Sequence, residues 1–185
     1  IKTYTQSEEA KEALALLKQT SIENGNLNLY NSFIASVPGL SAEAAENDSD
    51  VFEAFNNALY KQDTLLALEG MEQYIKNFPQ GSGILTAHYL HAEILFKQKK
   101  FDAALPDYEW ISGISSNEYS ERSAKNAASI LYSKKDYAKA IVYFEKLEPL
   151  ASNPEQIIFS LNGQMRCAGK LRDTEKLKSV CKKIM

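Results

Sequence analysis

Residues 99–111 read KKFDAALPDYEWI and residues 135–147 read KDYAKAIVYFEKL. With a shift of 36, Phe101 meets Tyr137, Ala104 meets Ala140, Leu105 meets Ile141 and Tyr108 meets Phe144; Glu109 meets Glu145, and Ile111 meets Leu147. The same interval runs through the chain. Steps of 37 back from Ala104 reach Ala67 and then Tyr30, and a step of 37 forward from Ala140 reaches Leu177. Apolar residues fall at helical spacing around each point: Tyr30, Ile34 and Val37; Leu66, Met71, Tyr74 and Phe78; Leu177, Val180, Cys181 and Ile184. A helical stripe returning at a fixed interval of this size marks a stacked repeat array, in which each unit covers the apolar flank of its neighbour.

Each unit carries a second helical pattern upstream of that point. The periodicity predicts helices near 6–23 and 26–36, 50–61 and 63–77, 83–98 and 101–113, 118–133 and 136–149, and 154–169 and 173–185. Eight Gly and five Pro in 185 residues leave room for such long helices, since both residues are costly inside them. Asn153-Pro154 reads as an N-cap followed by proline in the first turn, where a missing N–H costs nothing. Asp50 with Glu53 reads as a capping box, and Ser82, Asp136 and Asp173 as further caps or first-turn anions. Gly25, Pro38-Gly39, Pro79, Gly81 and Gly113 mark breaks. Links this short fold consecutive helices back antiparallel. Pro106 falls inside an expected helix, where it withholds an N–H from the carbonyl of Asp102 and predicts a bend or a loosened first turn.

The units resemble the tetratricopeptide repeat (TPR). The fourth gives Ala124, Ala127, Ala128 and Leu131, then Tyr137, Ala140 and Phe144; the third gives His88, His91, Ala92 and Leu95, then Phe101, Ala104 and Tyr108. The second keeps Ala58, Ala67 and Pro79 but has bulky Phe55 at a position that is usually small. The fifth departs from the pattern with Met165 and Leu177, and the first with Lys18 and Tyr30. Stretches such as YIKNFPQGSGILTAHYLHAEILFKQKKFDAALPDYEWI look like the long TPR proteins of Bacteroidetes-type bacteria and the TPR part of envelope-associated proteins. The resemblance implies an all-α fold, a right-handed superhelical solenoid of about ten helices in five antiparallel hairpins. It places a divergent hairpin at 1–40, an acidic linker at 41–49, and TPR-like hairpins at 50–79, 80–116, 117–152 and 153–185. One continuous array, itself a fragment of a longer protein, is the expectation, with a lean to the bacterial cell envelope or periplasm.

Chemistry is sparse in the sequence. His88 and His91 share one helix face, but both stand where the repeat places packing residues and no third ligand is spaced to join them, so no metal is expected. Cys167 and Cys181 read as free thiols in helices, with a disulfide between neighbouring helices as the alternative. No nucleophile elbow, phosphate loop or zinc-protease motif occurs, and neither an enzyme nor a cofactor is expected. No apolar run approaches the ~18 residues of a membrane span, so no membrane insertion is expected in this segment.

A net charge of −3 is too mild to suggest nucleic acid, but the charge is unevenly spread. Residues 1–95 carry five Lys/Arg against thirteen Asp/Glu, and residues 96–185 carry sixteen against eleven. The resemblance implies a partner-binding groove lined by the first helix of each hairpin: Phe52, Asn56 and Tyr60; Tyr89, Glu93, Phe96 and Lys97; Arg122, Lys125, Ser129 and Tyr132; and Asn162, Arg166 and Lys170. Lys125 matches one position of the carboxylate-gripping TPRs, while Ser129 replaces the usual Asn. The expected function is a protein–protein scaffold whose groove takes a protein or peptide segment, acidic or carboxylate-ended at its C-terminal half, with self-association through the array ends. A structural spacer of a larger envelope protein, with no groove ligand, is the alternative.

Overall fold

The computed structural model describes residues 7–37 and 47–184. They form α1 (Glu8–Glu23), α2 (Leu27–Ala35), α3 (Asp48–Tyr60), α4 (Thr64–Asn77), α5 (Ile84–Lys97), α6 (Phe101–Ile111), α7 (Ser120–Ser133), α8 (Tyr137–Leu150), α9 (Pro154–Leu171) and α10 (Thr174–Ile184). Among the described residues there is no strand. The chain forms two compact units that divide after Ala87, inside α5. In the N-terminal unit α1 packs on α2 and α3, and α3 on α4. In the C-terminal unit α6 packs on α7, α7 on α8, α8 on α9, and α9 on α10. The expected breaks at Pro38-Gly39 and the linker up to residue 46 lie outside the described residues.

The sequence period reappears in the backbone. Gly25, Gln62, Lys99, Lys135 and Arg172 have φ between 58° and 75°, and successive members stand 37, 37, 36 and 37 residues apart. Each closes the first helix of a hairpin. The next N–H reaches back five residues, Asn26 to Ser21, Asp63 to Ala58, Lys100 to Leu95, Asp136 to Leu131 and Asp173 to Ala168, all at 2.9 Å. This is a left-handed helix stop of the Schellman kind. Only the first turn uses glycine, and there a side chain would also collide with Ala58 at 2.8 Å. The residue after each left-handed turn then caps the second helix. Asn26, Asp63, Asp136 and Asp173 accept a backbone N–H on their side-chain oxygens, whereas Lys100 does not.

Two caps differ from the sequence expectation. Asn47, not Asp50, starts α3, with its Oδ1 accepting the Asp50 N–H at 2.8 Å; an amide three residues upstream satisfies the first-turn donor, so the Asp50–Glu53 capping box does not form. Ser82 does not cap α5. Its N–H and hydroxyl both donate to Asp48, which also accepts from Tyr74. Asn153 caps α9 with Pro154 in its first turn, as expected. Helix α6 runs unbroken through Pro106.

Close packing explains the small residues. Ala67, Ala104 and Ala140 are fully buried, as are Tyr74, Tyr108 and Ile111. Bulky Phe55 is accommodated because Gly70 lies against it: a Cβ there would approach the Phe55 Cβ to 2.8 Å. Gly163 does the same for Phe144, whose ring leaves only 2.3 Å for a Cβ. Both cysteines are free. Cys167 is buried, and that burial pushes its thiol up to about 11.

Candidate functional site

The C-terminal unit presents a groove built from α5, α7 and α9. Two neighbouring cavities lie along it. One, of about 210 Å³, is walled by Phe96 of α5, Phe101 of α6, and Ile130 and Lys134 at α7. The other, of about 300 Å³, is walled by Tyr132 of α7, Phe144 of α8, and Phe159, Asn162 and Arg166 of α9. Ser129 and Ser133 line both. Phe101 and Phe159 remain 41% and 37% exposed, which is high for aromatic rings that could have been packed away. The Lys125 ammonium sits 5.1 Å from the Phe159 ring centroid, a cation–π contact. Further along α7, Arg122, Lys125 and Asn126 line a more polar depression with Glu118, Glu121 and Gln156.

A buried polar network holds α5, α6 and α7 together beneath the groove. The Tyr108 hydroxyl donates to Glu93 Oε1 at 2.8 Å. Asn126 Nδ2 donates to the same oxygen at 3.2 Å and to Tyr108 Oη at 2.9 Å. Arg122 Nη2 pairs with Glu93 Oε2 at 2.5 Å. A carboxylate in a low-dielectric site needs such donors, and Glu93 has three. Burial, then the bond to Glu93, pushes the Tyr108 phenol far above its ordinary range. Glu93 is therefore part of the packing and offers no free carboxylate to a ligand.

His88 and His91 face α6. Their Nδ1 atoms lie 2.6 Å from the two oxygens of Asp107, and Trp110 stacks on His88 with centroids 4.0 Å apart. Burial alone would raise the Asp107 pKa, but the two histidine bonds outweigh it and hold the carboxyl below its ordinary value. Among the described residues no group of three or more His, Cys, Asp or Glu is arranged to hold a metal, and no helix is long and apolar enough to cross a membrane.

No family model matches the sequence, and no curated protein matches it either. Solved structures do. MamA from strain AMB-1 superposes over 94% of this chain and 90% of its own with a TM-score of 0.57, at 11% identity. A double mutant of MamA from strain RS-1 covers 97% and 94% with a TM-score of 0.51, at 17% identity. A Podosopora anserina kinesin light chain described as having nearly identical TPR-like repeats covers 94% and 92% at 12% identity, with a TM-score of 0.48. The fold is TPR-like.

Against that TPR-like frame, eight of the residues singled out in the sequence border the groove or the network under it: Glu93, Phe96, Arg122, Lys125, Ser129, Tyr132, Asn162 and Arg166. Lys97 and Lys170 are exposed at the C-terminal ends of α5 and α9. Tyr89 stacks flat on Tyr119, with centroids 4.0 Å apart and planes 9° apart. Phe52, Asn56 and Tyr60 belong to the N-terminal unit. Phe52 is half-buried edge-on to Phe55 and Tyr74, Asn56 donates to the Phe52 carbonyl at 2.7 Å, and Tyr60 is 89% exposed.

The reading of the sequence passed over Phe101, Ser133 and Phe159. Phe159 stands one turn before Asn162 on the stripe that continues to Arg166 and Lys170, so extending that stripe backwards would have found it. Ser133 follows from Ser129 in the same way.

Proposed function

We propose that this chain is a protein-binding scaffold that takes a partner segment in the groove of its C-terminal unit. The segment is acidic where it meets the α7–α9 cavity. The observation that carries this reading is the pairing of exposed aromatics with uncompensated cations. Phe101 and Phe159 keep a large part of their rings in solvent. Arg166 and Lys170 have no carboxylate partner among the described residues, and Lys125 rests on Phe159 rather than on an acid. On α10, by contrast, Lys176, Lys178 and Lys183 are each paired to a glutamate. Aromatic and arginine side chains supply much of the affinity at protein interfaces, and charges set encounter rate and register.

Calorimetry on the native partner tests the reading. Binding is expected to weaken as salt rises, because charges at a solvated rim are screened over ~8 Å at physiological ionic strength. Reversing Lys125 and Arg166 together to Glu is expected to weaken it further, while Lys182→Glu, on an exposed α10 site, leaves it unchanged. Salt-independent binding that survives the double reversal would move the partner off this groove.

A further inference from the structure

Two successive interfaces of the C-terminal unit treat the same repeat position in opposite ways. The left-handed turns set the register: Lys99 to Lys135 is a step of 36, and Lys135 to Arg172 a step of 37. In that register Glu93 of α5 corresponds to Ser129 of α7, and Tyr108 of α6 to Phe144 of α8. Arg122 and Asn126 of α7 correspond to Phe159 and Gly163 of α9. Between α5 and α7 the first four close the space themselves. The Glu93 carboxylate accepts from Tyr108 and Asn126 and pairs with Arg122. Between α7 and α9 the second four instead line the cavity of about 300 Å³. That cavity is therefore the place of the Glu93 network, emptied by a serine for glutamate and a glycine for asparagine. It is also made apolar, by phenylalanine for both tyrosine and arginine.

The substitutions decide what can fill it. The rings of Phe144 and Phe159 stand 5.8 Å apart at 58° beside Gly163. The Ser129 hydroxyl is committed to the Lys125 carbonyl at 2.8 Å. None of the donors that surround Glu93 recurs here, so a carboxylate driven to the bottom would lose water and gain no partner. A third aromatic ring suits the place, because rings favour the tilted and edge-on contacts that this pair offers. The volume lies at the small end of the ~300–1,000 Å³ of ligand sites and suits one large side chain.

The rim has the opposite character. Asn162 and Arg166 stand one turn apart on α9, and neither side chain is engaged by another described residue. The Lys125 ammonium lies over Phe159, and no carboxylate lines this cavity among the described residues. A negative charge beside the anchoring residue complements that rim.

We infer that the α7–α9 cavity is an anchor pocket for one aromatic side chain of the partner segment, with a carboxylate next to that residue meeting Arg166 and Asn162. The partner's ring fills the space that Glu93 and Asn126 fill from within the chain one interface earlier. This rests on the groove reading above and goes further in naming the residue that enters.

Display of random twelve-residue peptides against the whole chain tests it. Enrichment of Trp, Phe or Tyr adjacent to Asp or Glu is expected. In the best peptide, synthesised with a fluorescent label, replacing the aromatic residue by Ala is expected to weaken binding at least about tenfold. Ser129→Phe, which fills the cavity from α7, is expected to weaken it as much, with a melting temperature no lower than that of the wild type. Phe159→Ala removes a wall at a partly exposed position and gives the same loss of affinity by a second route. Selection against Arg166→Glu is expected to keep the aromatic residue and replace its acidic neighbour by Lys or Arg. Peptides that tolerate loss of their aromatic residue, or that bind Ser129→Phe and Phe159→Ala as tightly as the wild type, overturn the inference.

The same selection separates its failure from that of the groove reading. Peptides displaced by the combined Lys125→Glu and Arg166→Glu reversal but lacking an aromatic residue overturn the anchor alone. Peptides indifferent to that reversal, or no enrichment at all, overturn both.

Discussion

The third and fourth hairpins do the same packing job with different chemistry. Where α5 and α6 carry His88, His91 and Asp107, the equivalent positions of α7 and α8 carry Ala124, Ala127 and Tyr143. Both hairpins bury an alanine at the close approach, Ala104 or Ala140, and an aromatic one turn on, Tyr108 or Phe144. The fourth hairpin has alanine at two of these positions, both buried, and half-buried Tyr143 at the third. The third buries a histidine–aspartate–histidine bridge and, through the extra hydroxyl of Tyr108, draws in Glu93 and Asn126. The repeat thus fixes the small positions and the turn, while the seam is open to either solution so long as every buried polar group finds a partner.

The largest effect is expected where that pairing is broken on one side only. Asp107→Ala leaves two buried imidazole donors without their acceptor and should cost ~3–5 kcal/mol in urea unfolding of the chain. Copying the fourth hairpin in full, with His88→Ala, His91→Ala and Asp107→Tyr together, should recover most of that loss. A triple variant no more stable than Asp107→Ala would mean the two seams are not equivalent. The comparison also carries a pH signature. The Asp107 carboxyl is held below its ordinary value, because the histidine bonds outweigh burial. A depressed folded-state pKa gives stability that is present at neutral pH and is lost as pH falls through that value, below ~4. The triple variant should lose less stability than the wild type across that acid range.

The next effect tests what the hairpins share. Ala104→Leu and Ala140→Leu should each cost ~1–3 kcal/mol by overpacking the helix contact, and Lys139→Leu, on the exposed side of α8, should stay within ~0.5 kcal/mol. Similar melts for Ala140→Leu and Lys139→Leu would break the assigned register.

Smaller effects sharpen the comparison at the turns. Lys100 has φ −84° and ψ 61°, close to the −82° and 70° of Asp136, yet it has no side-chain cap. Lys100→Asp should therefore stabilise the third hairpin by ~1 kcal/mol, while Asp136→Lys should destabilise the fourth by a similar amount. Smallest is Lys135→Gly. Its φ of 64° strains an L-residue, and relief of ~1 kcal/mol is partly offset by the flexibility glycine adds to the unfolded chain. A net gain of a few tenths of a kcal/mol in thermal melts is expected, and a clear loss would mean the lysine side chain contributes to the turn.

Much of this was legible in the sequence because the repeat is a local code. Helix ends fell within two residues of expectation at most termini, since Asn153-Pro154, Asp136 and Asp173 are short-range signals with one physical reading. Asp50 misled because Asn47, three residues earlier, competes for the same role, and periodicity does not rank two caps. Ser82 misled because its partner, Asp48, is far away in sequence. The histidine pair was read as packing, which the structure bears out, but its acceptor was not seen. Asp107 lies across the hairpin, and the available sign was a charge where the sister repeat has Tyr143. In the groove, Phe96 and Tyr132 of the first helices are legible in the sequence, and Phe101 and Phe159 are not. Phe101 reads in the sequence only as the repeat equivalent of Tyr137, and its exposure depends on how far α5 and α7 stand apart, which no local pattern encodes.

The central claim is that partners enter at the groove of the C-terminal unit. It is tested most directly by site-specific photocrosslinking in cells that make the protein, with benzoylphenylalanine placed at Ser133 in one sample and at Lys139 in another. Crosslinks to one defined partner from position 133, absent from position 139 and suppressed by Arg166→Glu, are expected. Adducts from position 139 and none from 133 would contradict the account.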